Sequence, residues 1–127
     1  MSDPDRLRHV LVVEDEPDHL MAVELLLRLE PGFVFHGAGD TKEAEKILRE
    51  EPVDMMLLDL ALPGEDGLSF LRRIKAEERF RDLPVVAFSA FPRQIYEERA
   101  LESGCAAYLD KPFHPKELLA AIRTYTP

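Results

Sequence analysis

Five side chains in this sequence have the types needed to act on a phosphoryl group: Glu14, Asp15, Asp59, Ser89 and Lys111. Each stands just past a short apolar run: Val10 to Val13, Val53 to Leu58, Val85 to Phe88, and Ala106 to Leu109. In an open parallel sheet, ligands bind beyond the carboxyl ends of the strands, so these residues would converge at one edge. Three carboxylates held together repel and raise one another's pKa unless a cation is present. Mg²⁺ suits the set: it takes oxygen ligands, keeps several waters and binds through one or two carboxylates plus a phosphate oxygen. A Ca²⁺ cage would need more ligands. His9, His19, His36 and His114 are scattered without zinc spacing and are expected as surface or strand-edge residues. A carboxylate beside Mg²⁺ can attack phosphorus to form an aspartyl phosphate, and Asp59 is the central candidate. Such a transfer asks chiefly for positioning and for neutralised equatorial oxygens, tasks that fit the Lys111 ammonium and the Ser89 hydroxyl.

The elements that must hold these residues alternate between β-branched apolar runs and stretches with helical spacing, the pattern of an α/β sheet. Val10 to Val13 is continuously apolar, as a strand buried on both faces should be. Asp18 to Leu29 reads as a helix with Leu20, Val23 and Leu27 inward, closed by Pro31 and Gly32, and Phe33 to His36 as a second strand. Asp40 and Glu43 form a capping-box pattern ahead of a helix carrying Ala44, Ile47 and Leu48, which Pro52 stops. Val53 to Leu58 is the third strand. Leu68 to Glu78 is the third helix, with Leu71 and Ile74 inward and Arg72, Arg73 and Lys75 outward on a solvated face. Val85 to Phe88 is strand four. Pro92 to Ser103 is helical but thin in apolar residues, so it is the least firmly anchored element, and Gly104 is placed to end it as a left-handed cap. Ala106 to Leu109 is strand five. Pro115 to Tyr125 is the last helix, with Leu118, Leu119, Ile122 and Tyr125 facing in.

Composition limits the function classes. The 127 residues, 46% hydrophobic and 32% charged, suit one compact domain over residues 1–127, with its core over 8–125. Sixteen Lys and Arg against 25 Asp and Glu give a net charge of −9, which leaves no footprint for nucleic-acid phosphates or anionic lipid. The single Cys105 cannot form an internal disulfide and is expected as a small buried filler, which favours the cytoplasm. No apolar stretch has the form of a signal peptide or approaches the roughly 20 residues of a membrane span.

With these residues in place, the sequence resembles the receiver domains of two-component response regulators over nearly its whole length. Glu14 and Asp15, in Val-Val-Glu-Asp-Glu-Pro, are similar to the acidic pair that holds Mg²⁺. Asp59, in Leu-Leu-Asp-Leu-Ala-Leu-Pro-Gly-Glu-Asp-Gly, resembles the phosphoacceptor and a further metal ligand, and the backbone carbonyl of Ala61 falls where the family supplies another. Ser89, in Ala-Phe-Ser-Ala, is similar to the switch hydroxyl. Lys111, in Tyr-Leu-Asp-Lys-Pro-Phe, is similar to the phosphate-contacting lysine, followed by a Pro112 that usually takes a cis bond. Tyr108 stands where the family places an aromatic switch residue, although an aromatic at a sheet edge is as often simply core.

The resemblance implies a doubly wound, flavodoxin-like five-stranded parallel sheet of order 2-1-3-4-5 with helices on both faces. It implies a sensor histidine kinase or histidine phosphotransfer protein as donor, with small acyl phosphates as substitutes. Phosphorylation of Asp59 would draw in Ser89, move Tyr108 and alter the face formed by helix four, strand five and helix five, where a downstream protein or a second copy could bind. No direct nucleic-acid or membrane binding is expected. Both a stand-alone regulator and a receiver belonging to a longer protein fit the sequence after Pro127.

Taken singly, the Glu14 turn, Asp59 and Ser89 would be read as ordinary strand-end residues; their joint occurrence with Lys111 makes coincidence a poor account. A Mg²⁺-dependent phosphatase of the haloacid dehalogenase kind would carry an Asp two positions after the nucleophile, where this chain has Ala61. A phosphate-independent interaction module would not need all five competent residues. A nucleotide- or flavin-binding protein would have a Gly-rich turn in place of Glu14-Asp15-Glu16-Pro17.

Overall fold

The computed structural model describes residues 6–126. Its strands are β1 (Arg8–Val13), β2 (Phe33–Ala38), β3 (Met55–Asp59), β4 (Val85–Ser89) and β5 (Ala107–Asp110). Its helices are α1 (Pro17–Arg28), α2 (Thr41–Glu50), α3 (Gly67–Lys75), α4 (Arg93–Glu102) and α5 (Pro115–Tyr125), with one 3₁₀ turn at Glu78–Phe80. The strands are all parallel and ordered β2-β1-β3-β4-β5, the expected topology. Alternate residues of the central strands feed two cores. Val10, Val12, Leu57 and Phe88 pack with Val23, Leu27, Leu118 and Ile122, so α1 and α5 cover one face. Leu11, Val13, Leu58 and Ala87 pack with Ala44, Leu48, Phe70, Ile74 and Ala100, so α2, α3 and α4 cover the other. Among the described residues no helix is long and apolar enough to cross a membrane.

Local chemistry sets the boundaries. Asp40 Oδ1 accepts the Glu43 N–H at 2.8 Å, while Glu43 Oε2 reaches the Gly39 N–H at 3.1 Å, a capping pair displaced by one residue from the usual reciprocal form. The third strand starts at Met55 instead of Val53, because the Asp54 carboxylate takes the His9 backbone N–H at 2.7 Å and competes with the ladder there. The third helix begins one residue earlier than its spacing suggests, where Asp66 caps the Ser69 N–H at 3.0 Å. It also ends at Lys75, three residues short of Glu78, because the chain turns to bury Phe80.

Lys75 is correspondingly not an outward, solvated lysine. Its ammonium lies half-buried, donating to the carbonyls of Arg81 and Leu83, and burial lowers its pKa. Arg73 is exposed but bridges Glu45 on α2 and Glu65 ahead of α3 at 2.7 and 2.9 Å. The expectation for α4 holds: Ala100 is its only buried residue. Gly104 follows at φ +115, a conformation that other residues rarely adopt.

Candidate functional site

β1 and β3 are neighbours in register, Val13 opposite Leu58, so Glu14 and Asp59 emerge side by side at the carboxyl edge. β4 follows with Asp59 opposite Phe88, and β5 with Ser89 opposite Asp110. Glu14, Asp59 and Ser89 are at most 3% exposed, whereas Asp15 faces solvent. Carboxylate oxygens of Glu14, Asp15 and Asp59 lie within 4.8 Å of one another.

Lys111 joins them from the loop after β5. Its ammonium donates to Asp59 Oδ2 at 3.0 Å and to Glu14 Oε2, with the Phe88 ring centroid 4.8 Å away. Burial pushes the Glu14 carboxyl above its ordinary range, against the lowering effect of the Lys111 hydrogen bond. Burial also works against the Lys111 ammonium, but its bonds to Glu14 and Asp59 prevail and raise its pKa. Backbone amides fix the remaining oxygens: Asp59 Oδ1 accepts from Ala61 N at 2.9 Å, and Glu14 Oε1 from Glu16 N at 3.0 Å. The Lys111–Pro112 peptide bond is cis. This crowd of hard oxygen donors, two of them buried and without Cys or His among them, fits a small divalent cation.

The other expected residues lie along the same edge. Ser89 Oγ accepts the Phe91 N–H at 2.9 Å. Tyr108 is 4% exposed within the core, and its hydroxyl donates to the Phe91 carbonyl at 3.0 Å. Ala61 is exposed, two residues beyond Asp59.

A sequence model of the response regulator receiver domain matches residues 10–123. The chain belongs to this family. Receiver domains are signalling switches, and this one is 40% identical over 116 residues to the phosphate regulon transcriptional regulatory protein PhoB of Escherichia coli K12. That match covers 91% of this chain and 50% of the relative; the PhoB of Klebsiella pneumoniae is 41% identical with the same coverage. The chain thus spans about half the length of the curated relatives it matches. Among solved structures, the receiver domain of sensor histidine kinase PA1611 from Pseudomonas aeruginosa PAO1 superimposes with a TM-score of 0.84 at 32% identity, covering 94% of this chain and 98% of that one. That structure has a magnesium ion coordinated in its active site cleft. The receiver domain of the Francisella response regulator 1452 gives a TM-score of 0.85 at 26% identity, covering 94% and 96% of the two chains.

Three residues of this receiver domain's site escaped sequence reasoning. Gly67 opens α3 so close to β3 that a Cβ there would lie 2.7 Å from Leu60 Cα and 2.8 Å from Asp59 O. A glycine directly after a helix cap was the available signal. His19 on α1 brings Nδ1 to 3.4 Å from the Lys111 ammonium, and Phe91 links Ser89 to Tyr108. Nothing in their sequence positions marked either one.

Proposed function

We propose that this receiver domain takes a phosphoryl group onto Asp59, with Mg²⁺ held by Glu14, Asp15, Asp59 and the Ala61 carbonyl. The donor is the phosphohistidine of a sensor histidine kinase or histidine phosphotransfer protein. The observation that carries this reading is the shared Lys111 ammonium, which holds Asp59 beside Glu14 with one Asp59 oxygen on the Ala61 amide. An Asp59 carboxylate oxygen forms the new O–P bond as the N–P bond of the donor breaks, and the imidazole nitrogen keeps that electron pair. Bound Mg²⁺ supplies positive charge against the phosphoryl oxygens. Lys111 supplies a second positive charge and orients Asp59, while Ser89 offers a hydroxyl to the phosphoryl group one strand away.

Ala61 presents no acid or base to activate water, so the domain serves as a switch and not as a phosphatase. Exposed Met21 and Leu25 on α1, together with the apolar hollow formed by Ala22 and Phe113 beside Lys111, give a donor protein a surface to rest on. Output runs through the α4, β5 and α5 face, where a downstream protein or a second copy of the domain would dock; exposed Ile95 and Leu101 on α4 support that assignment. A cytoplasmic location accords with a lone, buried, unpaired Cys105.

The test is intact-mass analysis after incubation with acetyl phosphate and Mg²⁺. The unaltered protein gains one phosphoryl group, whereas Asp59→Asn and metal-depleted samples do not. Equal labelling of Asp59→Asn would refute the assignment.

A further inference from the structure

We propose that the groove between α3 and α4 binds a small anionic amphiphile: a planar apolar body bearing one carboxylate, sulfonate or phosphate. The groove encloses about 800 Å³, within the usual range for small-molecule sites. Its apolar floor comes from Leu60 and Leu62 in the loop after β3 and from Leu68 on α3. Its far wall is the Phe91–Tyr96 pair, stacked with ring centroids 4.5 Å apart and only partly buried. A planar ring entering the groove would continue that stack, an arrangement aromatic pairs favour.

Free guanidinium donors at the rim favour an oxyanion. Most arginines of this acidic chain sit on a carboxylate, but among the described residues neither Arg72 nor Arg99 has one within ion-pair distance. Arg72 donates to Ser103 Oγ at 3.2 Å, and Arg99 lies over the Tyr96 ring at 5.5 Å, so both guanidiniums keep donors free at the groove. Two acids also line it. The Asp66 carboxylate is held ionised by the Ser69 N–H and hydroxyl, and Glu102 is exposed, so the pull on an anion comes from the donors the two guanidiniums leave free and not from a net positive rim. Guanidinium pairs of this kind bind oxyanions in charge-assisted hydrogen bonds.

The inference does not depend on phosphorylation, and the unphosphorylated chain tests it. Anilinonaphthalene sulfonate is titrated by fluorescence, with its location mapped by amide chemical shifts. Expected is saturation at one equivalent, with a dissociation constant on the order of tens of micromolar for a ligand of that size. Shifts should centre on Leu60, Phe91 and Tyr96. The neutral analogue phenylnaphthylamine should bind about tenfold more weakly. Arg72→Gln with Arg99→Gln should weaken the sulfonate by about tenfold and leave the neutral analogue unchanged, whereas Glu102→Gln should tighten it. Asp59→Asn should bind as the unaltered protein does, which separates a failure here from a failure of the phosphoacceptor assignment. Both arginines are exposed, so the double variant should retain its circular dichroism and melting temperature. Non-saturating binding, shifts centred on the Met21 and Leu25 side of α1, or an affinity indifferent to both arginines would overturn the proposal.

Discussion

Replacing Lys111 with Met keeps a side chain of similar length against the Phe88 ring and removes only the ammonium. The variant leaves Glu14, fully buried, and Asp59, 3% exposed, within 4.8 Å of each other and of Asp15. Breaking a buried ion pair by deleting one partner costs about 3–5 kcal/mol. The low end applies, because Asp15 faces water and Glu14 can take up a proton once the lowering effect of Lys111 is gone. We therefore expect a loss of about 3 kcal/mol at neutral pH in the presence of a chelator, a large share of the roughly 5–15 kcal/mol of a typical domain. For a chain of this size it corresponds to a fall in melting temperature on the order of 10 °C. The chain has no Trp, so urea unfolding is best followed by far-ultraviolet circular dichroism. Asp59→Asn on the same background should restore half the loss or more. Mg²⁺ should restore part of it, since a cation that binds only the folded chain stabilises it by mass action. A loss below about 1 kcal/mol, the range of an exposed pair, or one that Asp59→Asn does not relieve, would refute the electrostatic account of the site.

Gly67→Ala drives a Cβ into the backbone of Leu60 and Asp59; urea unfolding should report a loss of about 1–3 kcal/mol and labelling by acetyl phosphate should slow, while Gly39→Ala, whose nearest neighbour is 3.9 Å away, should do neither. Burial pushes the Cys105 thiol up to about 12, so a disulfide reagent at pH 8 should leave the native protein unmodified and label it only after urea unfolding. The Glu45 and Glu65 carboxyls lie below their ordinary 4.5 because Arg49 and Arg73 donate to Glu45, and Arg73 to Glu65. Their contribution is present above pH 4.5 and is lost as pH falls through the lowered folded-state values, so Arg73→Gln should flatten the acid limb of stability measured by urea unfolding between pH 5 and 3. Arg93 ties α4 to β5 through Asp110 and the Tyr108 carbonyl, both about 3 Å away; Arg93→Ala should speed amide exchange in α4 while changing global stability by less than about 1 kcal/mol.

The strands and the site edge were legible because their signals are local and categorical, whereas the order of the strands came from the family resemblance. Four apolar β-strand runs each end in a polar residue of the right type, and a parallel sheet has only one edge where such ends can meet. Element boundaries were less legible where a side chain competes with the backbone. Asp54 looks like part of a strand until its carboxylate is seen to occupy the His9 amide, and Asp66 looks like loop until it caps Ser69. Lys75 read as an outward lysine because helical spacing gives the direction of a Cβ and not the reach of a four-carbon stem, which here folds back onto two carbonyls. Phe91 acts through its main-chain groups, which no pattern of residue types reveals, whereas Gly67 acts by close approach and was signalled only by a glycine directly after a helix cap.

The polar links around Ser89 bound how firmly α4 is held. Ser89 Oγ accepts from Phe91 N, Phe91 O from the Tyr108 hydroxyl, and Tyr108 O from Arg93 at the start of α4, a chain of three hydrogen bonds. Each contributes about 0.5–1.5 kcal/mol net, so together they give about 1.5–4.5 kcal/mol, beside the burial of Ala100 and the partial burial of Tyr96 on α4. Moving a two-state equilibrium from 1:99 to 99:1 takes about 5.5 kcal/mol of differential interaction. These three links alone are worth less than such a swing. Drawing Ser89 Oγ away takes the acceptor from Phe91 N and loosens the first link, leaving two whose worth is close to that of a single charge-assisted contact. On the proposed phosphorylation of Asp59, a phosphoryl group that gained the Ser89 hydroxyl and a tighter Lys111 contact would bias the α4 ensemble by loosening this chain of bonds, without any large rearrangement of the core.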